Sequence, residues 1–266
     1  MPTNNSLPAA ILAIDAILAL PAIYITFKHG IRNAAVLGWA YFFIFLTLRI
    51  ISSAMQLKDS TNPSASLIAS IGLSPLLLSL VGILHESRAY CIENRRRIID
   101  IIWVVALHML ISTAVALTAV GASGMSQPDT TEEKRDNDKK LVTVGMVLLL
   151  LSWIYISLVA IASFIVRPRT SCGGPRDQKQ GKCLLYAVML AIPCLGIRII
   201  TSLVYFASQN PALNPVTGEI GYKVGLGFIE ELIISIAFVV AGVATRNIGK
   251  DHSAARVGSE EFGLRS

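Results

Sequence analysis

The chain has 266 residues, 53% of them hydrophobic and 15% charged, with a mean hydropathy of +0.62, whereas soluble domains carry about 25% charged residues. The apolar residues fall in blocks of about twenty, the length that crosses ~30 Å of hydrocarbon, so an ordinary water-soluble domain is excluded in favour of an all-α polytopic membrane protein. The net charge of +6 lies in loops without interleaved aromatics, which argues against a nucleic-acid partner.

In chain order the apolar runs are 7–27, 34–55, 67–84, 98–120, 141–166, 183–207 and 224–243, predicting seven transmembrane helices. KHGIRN (28–33), the Asn-Pro-Ser turn (62–64), ENRRR (93–97) and three polar stretches at 121–140, 167–182 and 208–223 separate them. The expected organisation is a short lumenal N-terminus (1–6), a seven-helix domain (7–243) and a polar cytoplasmic tail (244–266). The first run lacks a basic n-region before it and a small-residue cleavage site, so it reads as an uncleaved helix.

Lysine and arginine sort by side. Fifteen lie in the loops after spans one, three and five and in the tail, six lie in the other loops, and two lie inside spans. The positive-inside rule then puts the N-terminus outside or in the lumen and the C-terminus in the cytoplasm, in the endoplasmic reticulum or plasma membrane. Cys91, Cys172 and Cys183 fall on or beside cytoplasmic loops and Cys194 inside span six, so four free thiols are expected, with juxtamembrane palmitoylation as the alternative. Asn4-Asn5-Ser6 is a glycosylation sequon on the lumenal side, three residues from the bilayer.

Ionisable groups in hydrocarbon are costly unless paired or hydrated, yet Asp15, Arg49, His108, Arg198, Glu230 and Glu231 all lie inside spans. Counted from the outer ends, Asp15, Arg49, Arg198 and the two glutamates occupy one layer about 10–15 Å deep at 1.5 Å per residue. Two readings stand side by side. The layer is either a set of ion pairs fixing helix neighbours or the lining of a lumen-facing polar pocket. In the second, Glu230, Glu231 and Asp15 are candidate acid or base groups, and Arg49, Arg198 and His108 are candidate substrate-binding groups. Three acids against two arginines leave one carboxylate unmatched, and an unmatched buried carboxylate holds its proton. Asp100 sits near Arg95–Arg97, where it is expected to be solvated or paired. Ser66, Ser70 and Ser74 form a small-residue stripe suited to helix packing, and Pro75 frees the carbonyl of Ile71. No metal or cofactor is expected, since His29, His85, His108 and His252 are scattered over depths and sides.

LRIISS (48–53) and IRIITS (197–202) match in residue type, and each is followed by Asn-Pro, thirteen and twelve residues after its arginine. Spans one to three and five to seven would then form a parallel 3+1+3 repeat. A rhodopsin-like receptor is disfavoured: span three ends in LHESRAY, without an acidic-Arg-Tyr triplet, and span seven has no Asn-Pro-x-x-Tyr. A retinal protein is disfavoured because Lys223 lies at the edge of span seven.

The stretches LGWAYFFIFLTLRIISSAMQ (37–56), NPSASLIASIGLSPLLLSLVGIL (62–84) and NPVTGEI (214–220), with Glu230-Glu231 after them, resemble an uncharacterised family of fungal multi-pass membrane proteins defined only as a domain of unknown function. The resemblance implies seven helices over most of 7–243, a fungal setting and, through association with natural-product genes, a lipophilic substrate. The small membrane-bound terpene cyclases of fungal meroterpenoid pathways are similar in size and span number, an analogy without shared motifs. Two functions remain: a protein that binds a small lipophilic molecule and performs acid–base hydrolysis or cyclisation in secondary metabolism, or a receptor-like or transporter-like protein without chemistry.

Overall fold

In the computed structural model, the residues described are 6–29, 35–59, 65, 68–69, 71–91, 97–125, 131–165, 175–208 and 218–246. Among them the chain is all-helical, with seven long helices and no strand. These are α1 (Ser6–Lys28), α2 (Ala35–Lys58), α3 (Leu73–Cys91), α4 (Arg97–Met125), α5 (Glu132–Ile165), α6 (Pro175–Ser208) and α7 (Ile220–Ala244). Six of them, all but α3, are long and apolar enough to cross a membrane by length and composition. The protein is a multi-pass integral membrane protein.

The remaining helix, α3, is the most enclosed of the seven. Every residue from Leu73 to Ser87 in α3 is buried, because α2, α4, α5 and α6 all pack on it. Around this central helix run α1 against α2 and α7, α7 against α6, α6 against α5, and α5 against α4. Tyr41 of α2 and His108 of α4 meet across the remaining gap, with ring centroids 5.6 Å apart. A helix enclosed by protein can carry His85, Glu86 and Arg88 near its end, where a lipid-facing helix could not. By contrast α1 and α5 show broad apolar faces, with Leu20, Phe27, Leu158 and Ile165 all exposed.

The close approach of α2 to α3 depends on paired glycines. A Cβ on Gly82 would lie 2.6 Å from the backbone nitrogen of Gly38, and one on Gly38 would lie 2.9 Å from the Gly82 backbone. The expected gap left by Pro75 is closed locally, because Ser74 Oγ donates to the freed Ile71 carbonyl at 2.6 Å. Ser66 and Ser70 of the expected stripe lie outside the described residues.

Several helices outrun the apolar blocks. The stretch expected as a polar connection at 121–140 is helical over 121–125 and again from Glu132, and α6 begins at Pro175 rather than 183. Glu, Lys, Arg and Gln are strong helix formers, Glu132 and Glu133 occupy the first turn of α5 where the helix dipole favours acids, and Lys140 pairs with Asp136 one turn away at 3.4 Å. Hydropathy ends where the apolar run ends, but the helix need not. In α7 the opening turn Ile220–Lys223 passes through a π-helical segment, Val224–Phe228, before the α-helix resumes at Ile229.

Candidate functional site

Four helices bring the intramembrane charges together. Asp15 comes from the middle of α1, Arg49 from the second half of α2, Arg198 from the second half of α6, and Glu230 and Glu231 from the first α-helical turn after the π segment of α7. All five are buried, between 4% and 8% exposed. Glu231 is the hub. Its Oε2 lies 2.9 Å from Arg49 Nε and its Oε1 accepts from Arg198 Nε at 2.9 Å. Asp15 Oδ2 is 3.8 Å from Arg49 Nε, within ion-pair range but beyond a hydrogen bond. Arg198 Nη1 also donates to Ser202 Oγ, one turn further along α6, at 3.3 Å.

The result is an ordered chain of alternating sign: Asp15, Arg49, Glu231, Arg198. Glu230 extends it, its charge interacting with Arg198 and Glu231, but its Oε2 is buried and has no hydrogen-bond partner among the described residues. Successive helical side chains diverge by about 100°, so Glu231 occupies the space between the guanidiniums and Glu230 points elsewhere. Each arginine thus has a partner that offsets the cost of burying it.

His108 stands apart from this chain. Its Nδ1 faces the Val104 carbonyl on its own helix at 2.8 Å, which requires the proton on Nδ1 because a carbonyl only accepts. Its described contacts are this carbonyl and the Tyr41 ring, and none of the five charged residues is among them.

At the opposite end lie two polar clusters that the apolar runs did not announce. His29, just past the end of α1, places Nδ1 2.7 Å from Glu86 Oε1 of α3 and Nε2 3.2 Å from the Gly242 carbonyl of α7. Trp39 of α2 donates its indole N–H to the other Glu86 oxygen at 2.8 Å and stacks obliquely on His29, with centroids 4.9 Å apart. Here α1, α2, α3 and α7 meet in one buried network. Beside it Arg88 of α3 contacts Asp100 of α4 at 3.3 Å and donates to Ser163 of α5, while Trp103 donates to Asp100 at 2.9 Å. Asp100 is 4% exposed, so its carboxylate is buried and paired with Arg88 rather than solvated. The signal was present in LHESRAY, whose His, Glu and Arg continue α3 beyond its apolar run and fall at the same end as His29.

Cys91, Cys183 and Cys194 are free thiols, and Cys172 lies outside the described residues. Among the described residues no group of three or more His, Cys, Asp or Glu side chains is placed to hold a metal ion.

A family model described as "Domain of unknown function (DUF7702)" matches residues 4–248, nearly the whole chain, and the chain belongs to that family. No curated protein and no solved structure matches it.

Proposed function

We propose that this member of the DUF7702 family binds a small lipophilic molecule in a polar pocket lined by the buried ion chain, with Glu230 as the group that exchanges a proton with it. One observation carries the reading. Buried oxygens of all three carboxylates, Asp15 Oδ2, Glu230 Oε2 and Glu231 Oε2, lack a hydrogen bond among the described residues, but Asp15 and Glu231 stand within ion-pair range of an arginine and Glu230 does not. Three carboxylates and two guanidiniums reach neutrality when one carboxyl holds a proton, and a proton held by an uncommitted carboxyl is free to be donated. Glu231 and the arginines position it, and Asp15 sits at the far end of the chain.

The distribution of basic residues supports an N-terminus facing the lumen or exterior and seven spans, with α3 as the enclosed seventh. The layer then opens toward that side, in the endoplasmic reticulum or plasma membrane. By resemblance, the setting is fungal secondary metabolism with a lipophilic substrate, and acid–base hydrolysis or cyclisation is the chemistry a proton-exchanging carboxyl would perform there.

A specific observation favours the second reading, a transporter-like or receptor-like protein without chemistry. Arg49 and Arg198 hold equivalent positions in LRIISS and IRIITS, and they take the two oxygens of Glu231 at the same 2.9 Å. A shared carboxylate between matched arginines is what a parallel 3+1+3 repeat would place at its interface.

The test is deletion of the gene with metabolite profiling, followed by complementation with Glu230→Gln. The amide keeps the volume and loses the exchangeable proton, so normal membrane abundance with loss of product is expected. Full activity of Glu230→Gln would refute the assignment, and unchanged metabolites in the deletion strain would favour the reading without chemistry.

A further inference from the structure

The network around His29 has the geometry that an imidazolium paired with a carboxylate completes. Both ring nitrogens face oxygen atoms, Nδ1 the carboxylate of Glu86 and Nε2 the carbonyl of Gly242. With Glu86 ionised neither oxygen can donate, and a neutral imidazole has only one N–H. A neutral ring would therefore set a lone pair against one of these buried oxygens, whereas the imidazolium satisfies both. Glu86 is made ready for that partner because Trp39 donates to its second oxygen. His29 is 5% exposed and Glu86 2%, so water does not replace a lost contact.

We propose that His29 is a proton-operated latch: as an imidazolium it ties the end of α1 to α7 through the Gly242 carbonyl while anchored on Glu86 of α3, and loss of the proton releases α7 from α1 at that end of the bundle. Among the described residues Glu86 is the charged group acting on it. From α2 it meets the uncharged Trp39 ring, from α7 a backbone carbonyl, and on α1 the neighbouring Lys28 lies over Tyr24 instead. Burial disfavours the charged ring, but the hydrogen bond and charge of Glu86 together with the Gly242 carbonyl outweigh it, and the titration point lies above the ordinary histidine value. The latch is accordingly fully closed below about pH 6.5 and opens as pH rises through the higher folded-state value.

The latch is independent of the proton assigned to Glu230, since it lies 14 residues along α1 from Asp15, about 21 Å at 1.5 Å per residue. Its consequence reaches that layer all the same. The helices it joins are those that carry Asp15 and Glu231, so pH at one end bears on helix spacing at the other.

Two measurements on the full chain in lipid nanodiscs decide the matter. In ¹⁵N-histidine spectra, with His29 assigned by its loss in His29→Gln, both ring nitrogens should be protonated at pH 6. Spin labels at Lys28→Cys and Arg246→Cys, with Cys91, Cys172, Cys183 and Cys194 changed to Ser, should give one short distance at pH 6 and a growing longer population that follows the same midpoint. Glu86→Gln should lower both midpoints together by about one pH unit. A singly protonated His29 at pH 6, or a distance unchanged while His29 titrates, would overturn the latch. The wild-type readings suffice if the Glu86 variant does not fold.

Discussion

Replacing Arg49 with leucine removes the cation shared by Glu231 and Asp15, and the two carboxylates do not lose equally. At an effective dielectric of about 20, unit charges 2.9 Å apart attract by about 6 kcal/mol and those 3.8 Å apart by about 4 kcal/mol. Glu231 nevertheless keeps Arg198 on its other oxygen at 2.9 Å, while Asp15 has no second cation within ion-pair range among the described residues. The cost of Arg49→Leu, about 3–5 kcal/mol for a stranded buried charge, is therefore mainly the cost of leaving Asp15 ionised or forcing it to take up a proton. Adding Asp15→Asn removes that charge, so the double variant should recover about half of the loss or more, a coupling of about 2 kcal/mol. Asp15→Asn alone should be mild, because Arg49 still has Glu231. Thermal unfolding of purified protein in nanodiscs reads this directly, since about 1 kcal/mol moves the midpoint by roughly 2–4 °C in chains of this size. If the double variant melts no higher than Arg49→Leu, Asp15 does not depend on Arg49 and the ordered chain is wrong.

Two further outcomes are expected. Gly82→Ala should cost about 1–3 kcal/mol through overpacking, because its Cβ meets the Gly38 backbone, and it should weaken the neighbouring Trp39–Glu86 hydrogen bond, whereas Gly225→Ala, whose Cβ meets no described atom within 4 Å, should leave the unfolding free energy within about 1 kcal/mol of wild type; equal losses would refute the packing account. A reporter fused after Arg256 should be cytoplasmic and a tag in the 121–140 stretch lumenal or extracellular, and reversed accessibility would invert the proposed opening of the charged layer.

The sequence was most informative where the bilayer imposes a rule. Apolar length located all seven long helices, six of which are long and apolar enough to cross a membrane, and intramembrane charge identified Asp15, Arg49, Arg198, Glu230 and Glu231 as groups that must meet, because lipid exposure of any of them is too costly. Depth counting placed them at one level but could not order them. That Glu231 takes both arginines, leaving Glu230 aside, depends on the azimuth of α7, and the π segment at Val224–Phe228 inserts a rotation that an ideal 3.6-residue period does not contain. His29, Glu86 and Arg88 carry no such signal, and Asp100 is expected near Arg95–Arg97 rather than on Arg88, for the opposite reason. They stand at the ends of apolar runs, where solvation is the default expectation, and only the enclosure of α3 by four neighbours removes water from them. Burial at a helix end is a tertiary property, and hydropathy along one helix does not contain it.

The two polar layers divide the bundle unequally. The ion chain uses α1, α2, α6 and α7, and the His29 network uses α1, α2, α3 and α7. By contrast α4 and α5 are tied to α3 through Arg88, Asp100 and Ser163 and contribute nothing to the ion chain. The helices α1 and α7 are linked at both levels, through Arg49 of α2 in the first and directly through His29 in the second, so movement between them bears on buried polar contacts. Such contacts are made or broken by a single proton, either on the carboxylates of the first layer or on the imidazole of the second. On the latch proposed above, opening of the bundle along this seam is coupled to protonation, and the buried Arg88–Asp100 pair gives the seam between α3 and α4 a proton-sensitive contact of its own.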